Sequence, residues 1–446
     1  MRYIGLGQGR FIMQTAELSM GRISQEQLNA LVALHDRFLT GRVGGRRAIL
    51  ENVDLTRLSL NGQDLRQAIF SGCVMEEMDL SHANFQEAAL YACDLSRCNL
   101  YKTVFIRSDL RGARIENANL ESADLESADL RKGGIARDGN FSHVQKAVNF
   151  RGANLTGAKL TGSMASNADF SDATLTGANM EKADLRGASL EGANMANVNV
   201  LGAQLVGANI KSAILTGVEV EQFKRMGIDL ENALTDYNSG TPVSELEEPL
   251  PKLLETHREW LKTRGKYGVQ LDLSDVDLRA LGSLKQQHMT AIKAIGAKFI
   301  DMNLYQLNLQ SAVLDHSDFR NCDIVEADLR GSSFKHADFS HADMSGVNAT
   351  ALMLGGSGPS RFSPVDFSHA RMRYTQFIKA ELKDALFCSA DLSFADFSGA
   401  DLRGVDFSGA NIEHTIFDDA QLDGAIFDKD DSQPVFNLEL VEQEET

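Results

Sequence analysis

Five histidines of the C-terminal half recur at one position of a five-residue repeat, which makes them the first candidates for chemistry. Each lies two residues after a large apolar residue. Rows of imidazoles suggest a zinc site, but zinc needs three or four ligands that converge on one point. Equivalent positions of a repeat face outward in parallel rows, so we expect exposed corner histidines and no metal site. These histidines are His316, His336, His341, His369 and His414.

Two further features resemble parts of an enzyme. Asp or Asn precedes the large apolar residue in nearly every repeat, and His35 and His257 occupy equivalent places in two helical segments. The recurrence of Asp and Asn favours side chains that satisfy turn backbone groups. No nucleophile or carboxylate recurs with His35 and His257, so we expect each to hydrogen-bond near the first coil of the repeat array that follows. We therefore predict no enzyme, and no catalytic, cofactor-binding or metal-binding residue.

Four of the five cysteines stand two residues before a large apolar residue, where Ala is usual. We interpret them as small buried hydrophobic residues. Cys73 and Cys93 are twenty residues apart and should lie on neighbouring coils, roughly 4.8 Å apart. A disulfide between them is not expected, because in-register neighbours lack the bridge geometry and the cytosol reduces such bonds. The four are Cys73, Cys93, Cys98 and Cys322.

The stretch that positions these residues runs from Asp366 to Phe427, where every fifth residue is large and apolar. On an α-helix five residues advance about 500°, so no apolar stripe forms. On a flat strand an odd repeat sends successive large residues to opposite faces. If the chain bends once per five residues, all of them can face one axis and the chain becomes a coil. The large residues are Phe367, Met372, Phe377, Leu382, Phe387, Leu392, Phe397, Leu402, Phe407, Ile412, Phe417, Leu422 and Phe427.

The spacing of Phe indicates that the coil has four sides. Phe recurs every twenty residues in two interleaved rows, and mostly aliphatic residues form the two rows between them. Two facing walls would then carry Phe, so that adjacent sides interdigitate and leave no bore. One row is Phe367, Phe387, Phe407 and Phe427, and the other is Phe377, Phe397 and Phe417.

These tandem A(D/N)(L/F)xx units resemble the pentapeptide repeat family, and the resemblance covers most of the chain. It implies an all-β solenoid fold, the right-handed quadrilateral parallel β-helix, whereas the residues alone indicate a four-sided coil without its handedness. It also implies non-enzymatic roles. Some members of the family resemble a DNA duplex in width and charge and occupy the DNA site of type II topoisomerases.

The chain looks like a duplicated unit of helix plus solenoid. A capping box at Ser24 predicts a helix from about Gln25 to Leu39. The segment from His257 to Leu261 aligns with the end of that helix and predicts a second one. A solenoid end exposes apolar side chains and unpaired strand groups, so each helix is expected to cap the array after it. The predicted segments are 1–47 with the first cap, 48–222 as the first β-helix, 223–252 as a linker, 253–298 as the second cap with its first repeats, 299–427 as the second β-helix and 428–446 as an acidic tail.

Three stretches depart from the repeat. Residues 131–149 form a predicted loop that leaves the phase unchanged. Residues 283–295 show apolar residues at helical spacing, which predicts a helix that interrupts the second array. Residues 348–364 are predicted to be one coil with a loop of roughly eight extra residues, since Phe339 and Phe367 would then share a wall.

Charge and composition limit the functions to consider. The formal net charge is −18 and the sequence pI is about 5.0, which argues against direct nucleic-acid binding. The first ten residues lack a signal-peptide core and no long apolar run exists, so a cytoplasmic, bacterial protein without a membrane span is expected. The favoured function is a structural scaffold with unknown protein partners and possible homo-oligomers. The alternative is a DNA mimic that binds a type II topoisomerase such as DNA gyrase.

Overall fold

A computed structural model describes residues 21–133, 146–354 and 361–428. The chain divides into two compact units, residues 1–236 and residues 237–446, which we call unit 1 and unit 2. Predictions for the acidic tail beyond residue 428 and for the glycine-rich tip at 355–359 lie outside the described residues. Among the described residues, no helix is both long and apolar enough to cross a membrane.

Each five-residue repeat forms one side and one corner of a coil. The Leu60 N–H donates to the Asp79 carbonyl on the next coil at 2.9 Å, and the Gln63 N–H donates back to the Leu60 carbonyl at 3.1 Å to close the turn. Parallel bridges join residues twenty apart, such as Ser59 and Asp79, along both arrays. Because most sides contribute only a single bridge, few of them are long enough to count as strands.

The corners need a left-handed backbone. Non-glycine corner residues such as Asn117 (φ 56°) and His336 (φ 59°) adopt positive φ, as position three of a type II turn requires. The Asp79 carboxylate accepts the Ser81 N–H at 3.1 Å, and the same bond recurs in many repeats. The prediction that Asp and Asn satisfy turn backbone groups is confirmed.

Unit 1 begins with β1 (Gly21–Arg22) and α1 (Gln25–Leu39), followed by β2 (Ile49–Glu51), β3 (Val53–Asp54) and β4 (Ile69–Ser71). Strand β1 pairs with β3 and β2 pairs with β4, both in parallel. The predicted helix is present with its predicted bounds, and Ser24 and Gln27 form both bonds of the capping box.

The interruption in unit 1 keeps the repeat phase, as predicted. Arg114 bridges to Asn149, a separation of 35 residues instead of 20, so the insertion equals three whole repeats. Gly133 and Lys146 pair antiparallel at its base.

The predicted end of the first array is wrong. After α2 (Glu221–Arg225), residues 228–236, which the sequence assigned to a linker, return to the coil. The Leu215 N–H donates to the Leu234 carbonyl at 2.7 Å, and Ile214 bridges to Leu234. The helix occupies the place of one side, so the repeat pattern disappears from the sequence while the coil continues.

Unit 2 begins with β5 (Thr241–Pro242), a 3₁₀ turn (Val243–Glu245), α3 (Leu250–Lys262), β6 (Val276–Asp277) and a second 3₁₀ turn (Arg279–Leu281). Strand β5 pairs with β6 in parallel.

The predicted helix at residues 283–295 is also wrong. Ser283, His288 and Lys293 instead bridge in parallel to residues one coil further on. The central residues Leu284 and Met289 are buried in the core. Ile292 is one of the apolar residues at helical spacing, but in the coil it points inward, two residues before the central residue of its repeat.

The second insertion shifts the register more than predicted. Ser333 bridges to Asp366, a separation of 33 residues, so the insertion has thirteen extra residues and not eight. It folds as an antiparallel hairpin of β7 (Leu352–Leu354) and β8 (Arg361–Ser363). Phe367 therefore stacks on Phe334 at 5.3 Å, and Phe339 meets it edge-on from the adjacent wall.

The core of unit 2 after this hairpin matches the predicted packing. Phe387 and Phe397 face each other edge-on, with ring centroids 5.9 Å apart. Within one wall, Phe377 stacks on Phe397 at 4.6 Å. The central side chains are buried through most of both arrays, so the interior is filled.

Candidate functional site

The interior of the coils offers no room for a ligand. Large residues such as Phe150, Leu185 and Phe397 are fully buried. A shallow depression of about 440 Å³ lies on the outside of unit 2, lined by residues of both charges that include Lys379, Glu381 and Arg403. Any recognition by the described residues must therefore use outward faces, corners or insertions.

The five repeat histidines form two columns along corners of unit 2. His336 stacks between His316 and His369, with ring centroids 4.8 Å from each. In the second column His341, Tyr374, Phe394 and His414 follow one another at 4.8 Å. Burial, followed by the two neighbouring imidazoles, lowers the pKa of His336. The sequence did not predict the mixed column, because the register across the hairpin was misplaced.

The described residues contain no group of three or more His, Cys, Asp or Glu placed to hold a metal ion. The histidines of each column lie in parallel, as the sequence suggested.

His35 and His257 occupy the same structural place in the two units. The His35 Nδ1 atom accepts the Ala48 N–H at 3.1 Å, and its Nε2 atom lies 3.1 Å from the Arg66 carbonyl oxygen. His257 contacts the Leu271 N–H at 3.0 Å and the Thr290 carbonyl at 2.8 Å in the same way. Both imidazoles are fully buried. The predicted bonds to the first coil are confirmed.

The cysteines that replace Ala differ in the pKa of their thiols. All five cysteines are free, and the four that replace Ala are buried. Burial raises the pKa of the Cys98 thiol to about 12 and raises that of Cys322 as well, which makes these two thiols poor nucleophiles. A hydrogen bond with Cys93 instead lowers the pKa of Cys73.

The outer faces carry a recurrent Asp-x-Arg pair. The Arg186 guanidinium donates to the Asp184 carboxylate at 2.7 Å, and Arg403 donates to Asp401 at 2.6 Å. These bonds hold the pKa of both carboxyl groups below its usual value. In each pair the arginine neutralises the charge of the neighbouring aspartate. Pairs of this kind also join Asp64 to Arg66, Asp109 to Arg111, Asp129 to Arg131, Asp277 to Arg279 and Asp328 to Arg330.

One such pair is buried. The side chains of Asp318 and Arg320 are 9% and 8% exposed, and Arg320 also lies 3.7 Å from Asp338. Although burial opposes ionisation, Arg320 keeps the pKa of Asp318 below its ordinary value. The repeat pattern could not distinguish this pair from the exposed ones.

The hairpin of unit 2 presents two apolar side chains to solvent. Met353 and Phe362 are cross-strand partners, 63% and 54% exposed. The hairpin leaves the coil beside Gly331, where an added Cβ would lie 2.8 Å from the Leu352 Cβ. Met353 and Phe362 form an exposed apolar pair on the insertion. The sequence did not predict this pair, because alternation in two short strands is a weak signal.

Family models support the repeat assignment. A model described as pentapeptide repeats matches residues 146–181, 183–221, 312–350, 360–404 and 390–428. A second model, described as a pentapeptide repeat region, matches residues 46–120. Together they cover more than half of the chain. No curated protein matches it.

Solved structures of repeat proteins are also similar. HetL, a pentapeptide repeat protein involved in heterocyst differentiation regulation from the cyanobacterium Nostoc, is 17% identical over 88% of this chain and 94% of its own, with a TM-score of 0.24. QnrB1, a plasmid-mediated fluoroquinolone resistance protein, is 22% identical over 43% of this chain and 90% of its own, with a TM-score of 0.28. With TM-scores this low, the superpositions add nothing to the family match.

Proposed function

The chain belongs to the pentapeptide repeat family, and from that premise we propose that it is a non-enzymatic scaffold whose outward surfaces bind protein partners. The observation that supports this most is the filled interior. The large central side chains are buried, and ligand pockets for small molecules are normally concave and enclosed. Recognition by flat faces and protruding hairpins suits protein surfaces.

The hairpin of unit 2 is the first candidate contact. Exposed large apolar residues that protrude from a fold are typical anchors at protein interfaces. Met353 and Phe362 meet that description, since each keeps more than half of its surface exposed.

The test is affinity purification of the tagged full chain from its own cells, compared with a Met353→Asp/Phe362→Asp variant. We expect a partner that is recovered in stoichiometric amounts with the natural chain and lost with the variant. Leu201→Asp/Val206→Asp is the matched control, because those side chains are 67% and 64% exposed in unit 1. Equal recovery with all three proteins would contradict a hairpin contact, and no specific partner at all would contradict the scaffold.

The alternative, a DNA mimic that binds a type II topoisomerase such as DNA gyrase, is supported by the net charge of −18. The Asp-x-Arg pairs oppose it, because they place a cation beside many of the outward carboxylates. A gyrase supercoiling assay separates the two functions. Unchanged supercoiling at high molar excess of the chain supports the scaffold, and inhibition supports the mimic.

Further proposals concern organisation and compartment. We propose that α1 and α3 cap two right-handed solenoids, because their side chains bond carbonyls at the first coil of each unit. We also propose that homo-oligomers form and that the protein resides in the cytoplasm. The free, buried cysteines support a reducing compartment.

A further inference from the structure

The buried histidine of α1 is locked in one protonation state. In unit 1 the His35 Nδ1 atom accepts an N–H from Ala48, so it carries no proton, and the proton must sit on Nε2, which donates to the Arg66 carbonyl. A second proton would remove the acceptor and place a charge in a fully buried ring. The closed arrangement therefore requires neutral imidazole.

The surroundings of the His35 ring also favour its neutral form. Burial is the main influence and lowers the pKa of His35. Arg47 also lowers it, whereas the Arg66 carbonyl, Asp64 and Asp36 act in the opposite direction.

The helix that carries this ring is held by few other contacts. In α1 the fully buried residues are Leu28 and His35, Val32 packs partly buried against the core, and Gln25 adds bonds to the Ser59 backbone. Segments with few buried contacts open locally before the rest of a fold. Such opening would release the first-coil carbonyls, which form a strand edge.

We propose that His35 is an acid-sensitive latch that keeps α1 closed over the first coil of unit 1 at neutral pH and releases it in mild acid. A released imidazole titrates at its ordinary pKa of about 6.5, whereas the closed ring resists protonation. The closed state keeps its full stability above that pH and loses it as the pH falls through 6.5, because the open state then binds more protons.

Hydrogen exchange with mass spectrometry tests this on the full chain at pH 7.5 and pH 5.5, after correction for intrinsic exchange rates. The lower pH stays above the sequence pI of about 5.0. We expect the opening equilibrium of residues 25–39 to rise by up to about tenfold, with no such rise in the coils. A rise of less than twofold in α1 would overturn the proposal.

The matched variants are His35→Gln and His316→Gln. An amide can accept and donate without titrating, so the first variant should lose the pH dependence even if it opens more at both pH values. The second changes an exposed corner histidine and should keep the pH dependence. If the first variant keeps the natural pH dependence, His35 is not the latch.

Nitrogen NMR of the natural chain provides a readout that needs no variant. We expect His35 to show the Nε2–H tautomer at pH 7.5 and to remain neutral in the folded species at pH 5.5. Titration of this ring in the folded protein at or above pH 6.5 would overturn the assignment.

Discussion

Unit 1 has a largely aliphatic interior, whereas that of unit 2 becomes aromatic towards its C-terminal end. In unit 1 Phe170 stacks on Phe150 at 4.8 Å, and most other central positions carry Leu. In unit 2 Phe397 contacts the rings of Phe377, Phe387, Phe407 and Phe417 at 4.6 to 6.0 Å. The same backbone coil accommodates both, so the five-residue turn determines the fold and the wall residues determine how the interior packs.

The largest effect is expected from a charge placed between the aromatic walls. Phe397→Asp buries a carboxylate without a partner and should cost at least about 4 kcal/mol. Hydrogen exchange should show lost protection in unit 2 and retained protection in unit 1. Lys383→Asp, an exposed change on the neighbouring side, is the control and should leave both units protected. Normal thermal unfolding of Phe397→Asp would contradict a filled core.

The buried pair of Asp318 and Arg320 extends the comparison of the two units to the Asp-x-Arg pairs on their outer faces. Arg320→Ala leaves Asp318 buried and unpaired, which typically costs about 3–5 kcal/mol. The same change at Arg186 in unit 1, where the arginine side chain is 58% exposed, should cost about 0–1 kcal/mol. Denaturant unfolding of the two variants measures the difference, and equal losses would show that burial does not govern these pairs.

A milder change compares the two interiors directly. Aromatic pairs contribute about 0.5–1.5 kcal/mol each beyond their area burial. Phe397→Leu loses four ring contacts and Phe170→Leu loses one stacked partner, so the first should destabilise its unit by about 1.5–4.5 kcal/mol more. Denaturant unfolding, monitored by hydrogen exchange in each unit, measures the loss of stability in both variants. A larger loss at Phe170 would contradict the importance of the aromatic walls.

The smallest difference between the two units is expected at the carboxylates of the exposed Asp-x-Arg pairs. The pKa values of Asp184 and Asp401 are lowered in the fold, so their contribution to stability is present above the ordinary Asp pKa and is lost as the pH falls through the folded one. Asp184→Asn and Asp401→Asn should each weaken acid destabilisation below about pH 4, and by similar amounts. Acid titrations followed by circular dichroism measure this. A marked difference would mean that the units also differ on their surfaces.

The repeat itself could be predicted from sequence because a period of five fits neither a helix nor a flat strand. α1 was predictable for a local reason, since its capping box at Ser24 and the spacing after it are adjacent in sequence. The equivalence of His35 and His257 followed from the duplicated segments, although only the structure shows that both rings are buried between bonds.

Two of the errors share one physical cause, which is that a coil tolerates inserted hairpins and replaced sides that its sequence pattern does not reveal. Phe339 and Phe367 suggested a shared wall, but the hairpin has thirteen extra residues and places Phe367 on Phe334. α2 replaces one side of the last coil of unit 1, so the sequence pattern did not reveal that the chain rejoins the coil at Leu234. The burial of Arg320 and the exposure of Phe362 depend on neighbours that lie far away in sequence.

The most direct test of the coil is its register across the hairpin, measured by cross-linking cysteines with a short bifunctional thiol reagent in a Cys388→Ser background. The structure stacks residue 336 on residue 369, with ring centroids 4.8 Å apart. We predict that the pair His336→Cys/His369→Cys cross-links and that His341→Cys/His369→Cys does not. Cross-linking of the second pair alone would mean that the coil is not wound as described.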